Sequence, residues 1–212
     1  MLLSIIAIAI FGLGSLAHAR PAEPVQDKAE AAKVAKKVER AKGRAAKEAK
    51  HELEAVRDFT KRLDRYARLH NNYLARLGGQ TAVTAQALAE AIARERAKAK
   101  LGDIIIPEVQ PLLRRLIAEQ LKGPDTAAAR KAAGEGNPNV EADSTPVVPE
   151  LNVIYPAGAA RATMPPSLLL ALPPLPECLH YRFVGRDLLL VDSVAQIIVD
   201  ILRNAAPVLE SK

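Results

Sequence analysis

Proline is distributed unevenly along this chain, and the distribution limits where long helices can form. The sequence has 15 prolines in 212 residues: Pro21 and Pro24 lie near its start, and the other 13 lie at Pro107 or beyond. Because proline breaks the interior of a helix, the stretch 25–106 is free to form long helices. The remainder of the chain must consist of shorter elements.

Local signals divide the helical region into four predicted helices. Glycine accepts the positive φ of a helix C-terminus, so Gly78-Gly79 and Gly102 mark two ends. Thr81 or Thr84 is the predicted N-cap of the second helix. Pro107 begins the third, because proline is favoured in a first turn. The helices are predicted at 27–77, 82–101, 107–122 and 125–133.

The upper half of the long helix carries an apolar heptad seam. Its seven residues recur at steps of three and four, which places them on one face. They are Val56, Phe59, Leu63, Tyr66, His70, Tyr73 and Leu77. Below Leu53 the same face holds only Val38 and two alanines, which bury little surface. We therefore expect a packed upper half and a solvated lower half.

The C-terminal part changes from a helical to a strand period. Residues 135–150 are polar and proline-rich, as in a linker. Apolar residues alternate with others over 179–184, Gly185-Arg186 suits a two-residue hairpin turn, and further strands follow at 187–192 and 197–202. A short helix is predicted from Met164 to Leu170.

These elements predict an α+β fold that is mostly α. Helices, including one long basic helix, come first, and a small three-stranded antiparallel meander packs on helices, with the third helix as its cover. We assign the helical region to 27–134, the meander module to 151–206 and a tail to 207–212.

The first 19 residues resemble a secretory signal peptide. Leu2 to Phe11 is nearly all apolar, and Ala17-His18-Ala19 supplies the small residues that signal peptidase recognises. Cleavage after Ala19 would leave a short linker, 20–26, and an exported protein, periplasmic or extracellular. The alternative is an uncleaved N-terminal membrane anchor, although the apolar run is shorter than the roughly 18–20 residues of a span.

Several motifs in the second half resemble a family of uncharacterised exported bacterial proteins with a C-terminal YRFVGRDL-type β-meander module. The matching residues are Tyr155-Pro156 with Gly158, Met164 to Pro166, Leu172 to Pro176, Tyr181 to Leu188, Gly102 to Ile104, and Pro107 to Val109. The resemblance covers about half the chain and implies an exported, folded module without a known activity. The family often has Gly in place of Cys178 and a carboxylate in place of His180, so a role for either would be particular to this chain.

Positive charge is concentrated in the first half. Residues 20–100 carry 20 Lys and Arg against 11 Asp and Glu, a net charge of +9, whereas 101–212 carry a net charge of −3. Six cations, separated by steps of three and four on the long helix, form a candidate anion or partner site. They are Lys33, Lys36, Lys37, Arg40, Arg44 and Lys47. Their partners would be anionic envelope components such as lipid headgroups or lipopolysaccharide; the plainer interpretation is a solvated helix face.

Candidate catalytic groups are sparse. Cys178, the single cysteine, could pair with His180 in a thiol hydrolase, or it is simply a free thiol or the bridge of a disulfide-linked dimer. Asp187, Asp192 and Asp200 could supply paired carboxylates, but strand ends often carry Asp beside turns. Three arginines, Arg161, Arg182 and Arg186, could form an anion site or merely cover strand edges.

The sequence contains no further motif of a metal, cofactor or nucleophile site. His51, His70 and His180 lack the spacing of a metal site, and no phosphate loop, nucleophile elbow or dinucleotide fingerprint occurs, so we predict no metal and no cofactor. We assign no catalytic residue. The leading hypothesis is a non-enzymatic binding or structural protein of the envelope, with no nucleic-acid partner expected there. The alternatives are a hydrolase with its site in the second half and a coiled-coil assembly protein that oligomerises through the seam.

Overall fold

The computed structural model describes residues 25–78, 82–122, 126–140, 143 and 145–208. Over these ranges the chain is α+β and mostly α, as predicted, with five helices and one three-stranded antiparallel sheet. The helices are α1 (Val25–Leu77), α2 (Ala82–Glu95), α3 (Gln110–Leu121), α4 (Ala127–Gly134) and α5 (Pro166–Ala171). The strands are β1 (Leu179–Val184), β2 (Asp187–Asp192) and β3 (Ile198–Leu202).

The chain divides into two compact units, Met1–Ala46 and Lys47–Lys212. In the first unit the described residues belong to the beginning of α1, where 36–46 are all exposed. Alanine, lysine, arginine and glutamate are good helix formers, so this segment is helical without a buried face. The predicted signal peptide and most of the predicted 20–26 linker lie outside the described residues. In the described part of the chain, every helix falls short of the combined length and hydrophobicity that a membrane span requires.

The upper half of α1 packs through its heptad seam in the second unit. Phe59, Leu63, Tyr66 and His70 are at most 2% exposed, whereas Leu77, at the end of the seam, is 38% exposed. Gly78 follows with φ +77°, the conformation that ends many helices. The seam therefore belongs to the core of its own chain.

The second helix ends earlier than its sequence suggests. It was predicted to reach residue 101, but α2 stops at Glu95, and Thr84 lies inside it rather than at its N-cap; Thr81 is outside the described residues. The physical reason is a competing tertiary contact. The backbone N–H groups of Gly102, Ile104 and Ile105 all converge on the Asp200 carboxylate, which continued helical winding would prevent.

Two further boundaries differ for local reasons. The predicted start of the third helix at Pro107 is instead a turn, in which Val109 N donates to Ile106 O. The proline in the first turn of α3 is Pro111. The predicted fourth helix, 125–133, is observed as α4 (Ala127–Gly134), and Asp125 is outside the described residues.

Within the segment predicted as a polar linker, 135–150, four residues are buried, and most of the other described residues are exposed. The buried residues are Asn137, Pro138, Val147 and Pro149. The Asn137 side chain is fully buried, accepts the N–H of Gly185 and donates to the Gly185 carbonyl. A Cβ atom at Gly136 would overlap the Arg161 carbonyl. Asn137 therefore holds the β1–β2 turn through two hydrogen bonds.

The sheet has the order β1–β2–β3, with both pairs antiparallel. Gly185, the first turn residue between β1 and β2, has φ +58°. The third strand begins at Ile198, one residue later than predicted, because Ile197 instead bridges to Ile154.

Alternation along the strands buries both faces of the sheet. One face, with Leu179, Tyr181 and Phe183, joins the larger core, to which α1, α2 and α3 also contribute buried side chains. The other face packs Val184 and Leu189 with Tyr155 in a smaller cluster. The predicted cover by the third helix agrees with this core, because Leu113 and Ile117 of α3 belong to it.

Candidate functional site

The basic run on α1 presents free cations. All six predicted residues, Lys33, Lys36, Lys37, Arg40, Arg44 and Lys47, are exposed. None of them forms an ion pair within the described part of the chain. Like charges at helical spacing repel one another by a few tenths of a kcal/mol, so a polyanion placed beside this segment would lower its free energy.

A second group of cations surrounds a cavity in the Lys47–Lys212 unit. The cavity has a volume of about 640 Å³ and lies between α1, the end of α2 and the following loop. Its wall includes Arg62, Arg65, Arg68 and Arg96, against Glu95 and Asp103 as the acidic members. We call it the arginine cavity; its ionisable lining carries a net charge of +2.

Two of the four arginines are held in place by the fold. Arg62 Nη1 donates to the Asp103 carbonyl at 2.6 Å. Arg96 donates to the Val199 carbonyl at 2.7 Å, and its guanidinium lies 5.4 Å from the centre of the Tyr66 ring. Burial lowers the pKa of Arg96, but a guanidinium stays charged at neutral pH. Together these two form a fixed cationic wall.

The other two arginines have no such attachment. Arg65 and Arg68 are exposed, and neither forms a hydrogen bond or ion pair with any described residue. Because they lie three residues apart on α1, they are neighbours on the helix surface. The guanidinium fork matches the oxygens of carboxylates and phosphates. The cavity thus combines two fixed and two free guanidinium groups.

The buried carboxylates are occupied by hydrogen bonds within the fold. Asp192 is fully buried. Its Oδ2 accepts a hydrogen bond from Tyr66 Oη at 2.7 Å and lies 2.6 Å from His70 Nδ1. Its Oδ1 accepts the N–H groups of Val194 and Ala195. Burial, and then the Asp192 charge, raise the pKa of Tyr66 well above its usual value. Asp192 thus ties α1 to the β2–β3 turn.

Asp200 of β3 holds the loop after α2 in a similar way. Its carboxylate accepts four backbone N–H groups at 2.8–3.0 Å, from Gly102, Ile104, Ile105 and Ile201. Asp187 accepts from Arg203 Nη1 and from the Asn204 N–H. All three candidate carboxylates are therefore occupied by donors of this chain, and the geometry offers no pair for acid–base chemistry.

The thiol and the imidazole do not form a catalytic pair. Cys178 is a free, buried cysteine, and burial, together with the Asp192 charge, raises the pKa of its thiol to about 11. His180 Nε2 lies 3.0 Å from Arg182 Nη2, and burial, followed by Arg182, lowers its pKa to about 4. A protonated thiol is a weak nucleophile, and an imidazole engaged with a guanidinium is a poor base.

The three histidines in the described ranges have different surroundings and do not form one cluster. His51 is exposed, His70 bonds Asp192, and His180 contacts Arg182. Across the described ranges, no cluster of His, Cys, Asp and Glu could hold a metal ion.

The arginine cavity was not predicted from the sequence. Arg62, Arg65 and Arg68 recur at steps of three, a spacing from which a cluster on one side of the helix could have been predicted. Arg96 joins them only through the tertiary fold. Of the three arginines predicted as an anion site, Arg182 and Arg161 are close enough to interact electrostatically, whereas Arg186 Nε donates to the Ala206 carbonyl.

Comparison with known proteins adds no relative: no family model, no curated protein and no solved structure matches the chain. The resemblance of the second half of the chain to exported bacterial proteins therefore remains a prediction.

Proposed function

We propose that this chain is an exported, non-catalytic binding protein that takes up a phosphate-bearing ligand of the cell envelope in the arginine cavity. The observation that carries the proposal is the set of four guanidinium groups around one cavity, of which Arg65 and Arg68 have no partner among the described residues. A volume of about 640 Å³ lies within the usual range of ligand sites, roughly 300–1,000 Å³.

A phosphate group suits this cavity better than a neutral ligand. Phosphate oxygens accept paired N–H donors from arginine, and its charge is balanced by the +2 lining. Lipid headgroups and lipopolysaccharide are the phosphate-bearing partners that an exported protein meets. The exposed cations of the first unit would themselves be attracted to an anionic surface, an effect that salt screens.

The alternative functions have less support. A hydrolase needs an activated nucleophile or a free acid–base pair, and Cys178, Asp192 and Asp200 are all engaged or protonated. A coiled-coil assembly needs an accessible seam, and Phe59 and Leu63 are buried in the core of their own chain.

Vesicle binding tests the proposal. The purified chain is sedimented with phosphatidylglycerol vesicles and, separately, with phosphatidylcholine vesicles. We expect retention on the first that falls in Arg65→Gln/Arg68→Gln by about tenfold or more, from the loss of two charge-assisted contacts. The matched control is Arg57→Gln/Arg94→Gln, which removes the same charge from exposed positions outside the cavity lining. Equal losses in the two variants would refute a site in the cavity.

The location is tested separately. We expect the N-terminus of the protein recovered from its own cells to be Arg20, outside the cytoplasm. Recovery of intact Met1 in the soluble cytosol would refute export and would leave the cavity experiment valid.

A further inference from the structure

A second cavity is lined in part by residues 179–182 of β1, which is an edge strand of the sheet. It has a volume of about 300 Å³. Its lining is largely apolar, with Met164, Leu169 and Leu175 among the side chains. His180 and Arg182 of β1 supply polar groups. We call it the β1 cavity.

Arg182 is the unusual member of this lining. Its side chain is only 7% exposed. The guanidinium carbon Cζ lies 4.4 Å from the centre of the Tyr155 ring, and Nη2 is 3.0 Å from His180 Nε2. Its Nη1 is buried without a hydrogen-bond partner among the described residues. A buried donor that lacks an acceptor is rare in folded proteins and destabilising.

The charges around Arg182 also lack balance. Tyr155 and His180 are neutral neighbours at pH 7, and Arg161, a further charge that acts on Arg182, is another cation. No ion pair involving Arg182 exists among the described residues. A buried cation is normally paired with an anion.

We infer that the β1 cavity binds a small apolar molecule that ends in a carboxylate, and that Arg182 receives the carboxylate. Such a ligand supplies the missing negative charge beside the Arg182 guanidinium, while its apolar part contacts Met164, Leu169 and Leu175. The volume of about 300 Å³ lies at the lower end of the range for ligand sites, which favours a short chain. This site is separate from the arginine cavity and does not depend on the function proposed for it.

Ligands that share an apolar chain and differ in head group test the apolar contact and the carboxylate contact separately. Octanoate, octanol and octylamine share an apolar chain and differ in the head group. Calorimetric titration of the full chain should show saturable binding of octanoate. Octanol should bind at least about tenfold more weakly, because it lacks the charge-assisted contact, and octylamine should not bind detectably. Absence of saturable octanoate binding at millimolar concentration, or equal binding of octanol, would overturn the inference.

Two variants locate the site. Arg182→Gln should reduce octanoate binding by at least about tenfold and leave the weak octanol binding unchanged. Because Arg182 is buried, its replacement could disturb folding, so Leu169→Ala provides an independent variant: Leu169 is 50% exposed and lines the cavity. Its matched control is Leu170→Ala, at a residue that is 88% exposed and outside the lining.

We expect weaker octanoate binding in Leu169→Ala and unchanged binding in Leu170→Ala. Arg65→Gln/Arg68→Gln should bind octanoate normally, which excludes the arginine cavity as the source of the signal. If Arg65→Gln/Arg68→Gln lost octanoate binding, or if Leu169→Ala and Leu170→Ala weakened it equally, the ligand would bind outside the β1 cavity and the inference would be wrong. Tight binding of an acetylated and amidated apolar peptide, unaffected by Arg182→Gln, would show that the β1 edge accepts a strand instead and would also overturn the inference.

Discussion

Charged side chains have opposite surroundings in two regions of this molecule. At the junction between helices and sheet, Asp192 and Asp200 are fully buried and each accepts several hydrogen bonds from the chain itself. In the arginine cavity, Arg65 and Arg68 are exposed and have no partner among the described residues. The difference separates charges that stabilise the fold from charges that remain available to a ligand. It predicts that substitutions at the junction reduce stability and that substitutions in the cavity reduce binding.

The largest effect is expected at Asp200. Asp200→Ala leaves the N–H groups of Gly102, Ile104 and Ile105 without their acceptor, which should lower the free energy of unfolding by about 3–5 kcal/mol. Urea unfolding measures this change. Asp64→Ala, at an exposed carboxylate, is the control and should change stability by less than about 0.5 kcal/mol. Similar losses in both variants would remove the distinction between the two regions.

A smaller effect is expected from one hydroxyl at the same junction. Tyr66→Phe removes the hydrogen bond to Asp192 Oδ2 and should lower the free energy of unfolding by about 1.5–3 kcal/mol, because the acceptor is a buried carboxylate. Tyr73→Phe removes a comparable bond to exposed Glu95 and should lower it by less than about 1 kcal/mol. Thermal and urea unfolding of the two variants test the difference; a larger loss in Tyr73→Phe would contradict it.

The acid dependence of stability tests the neutral state of His180. Burial and Arg182 lower its pKa from 6.5 to about 4 in the folded chain. Between these values the unfolded chain binds a proton that the folded chain does not, so stability falls as the pH is lowered from 6.5 to 4. Because His180 is partly exposed, we expect this contribution to be about 1–2 kcal/mol.

The measurement compares the pH dependence of unfolding in the original chain and in His180→Gln. The variant should lose less stability between pH 7 and pH 4.5, by that same amount. Identical pH profiles would show that His180 titrates normally and that its contact with Arg182 is not maintained.

The smallest stability effect is expected in the arginine cavity. Arg65→Gln/Arg68→Gln removes two exposed charges without partners among the described residues, so the free energy of unfolding should change by less than about 0.5 kcal/mol. Urea unfolding at low salt measures it. A loss above about 1 kcal/mol would show that these arginines stabilise the fold and would reverse their assignment to a ligand.

Much of the fold could be predicted from periodicity alone. The seam at Phe59, Leu63 and Tyr66 and the alternation in β1 each reflect a local repeat, and local repeats are visible in sequence. The boundaries that differ involve contacts over long separations. Helix α2 stops at Glu95 because the following loop binds Asp200, about a hundred residues later. Asn137, in the predicted linker, is buried because it bonds the β1–β2 turn.

The candidate sites could be predicted only in part. The spacing of Arg62, Arg65 and Arg68 on one helix was readable, but Arg96 reaches the same cavity from the end of α2. The unsatisfied Nη1 of Arg182 depends on what surrounds it in three dimensions. The aspartates show the opposite case: their residue type suggested catalysis, and only the structure shows that backbone donors occupy them.

The most direct test of the proposed function observes the arginine side chains themselves. Nuclear magnetic resonance of the Nε–Hε groups is recorded while glycerol phosphate, a soluble headgroup analogue, is added to the purified chain. We predict saturable shifts of the Arg65 and Arg68 signals and no comparable shift of Arg57 or Arg94. Equal, non-saturating shifts at all four arginines, or no shift at Arg65 and Arg68, would contradict a phosphate site in the arginine cavity.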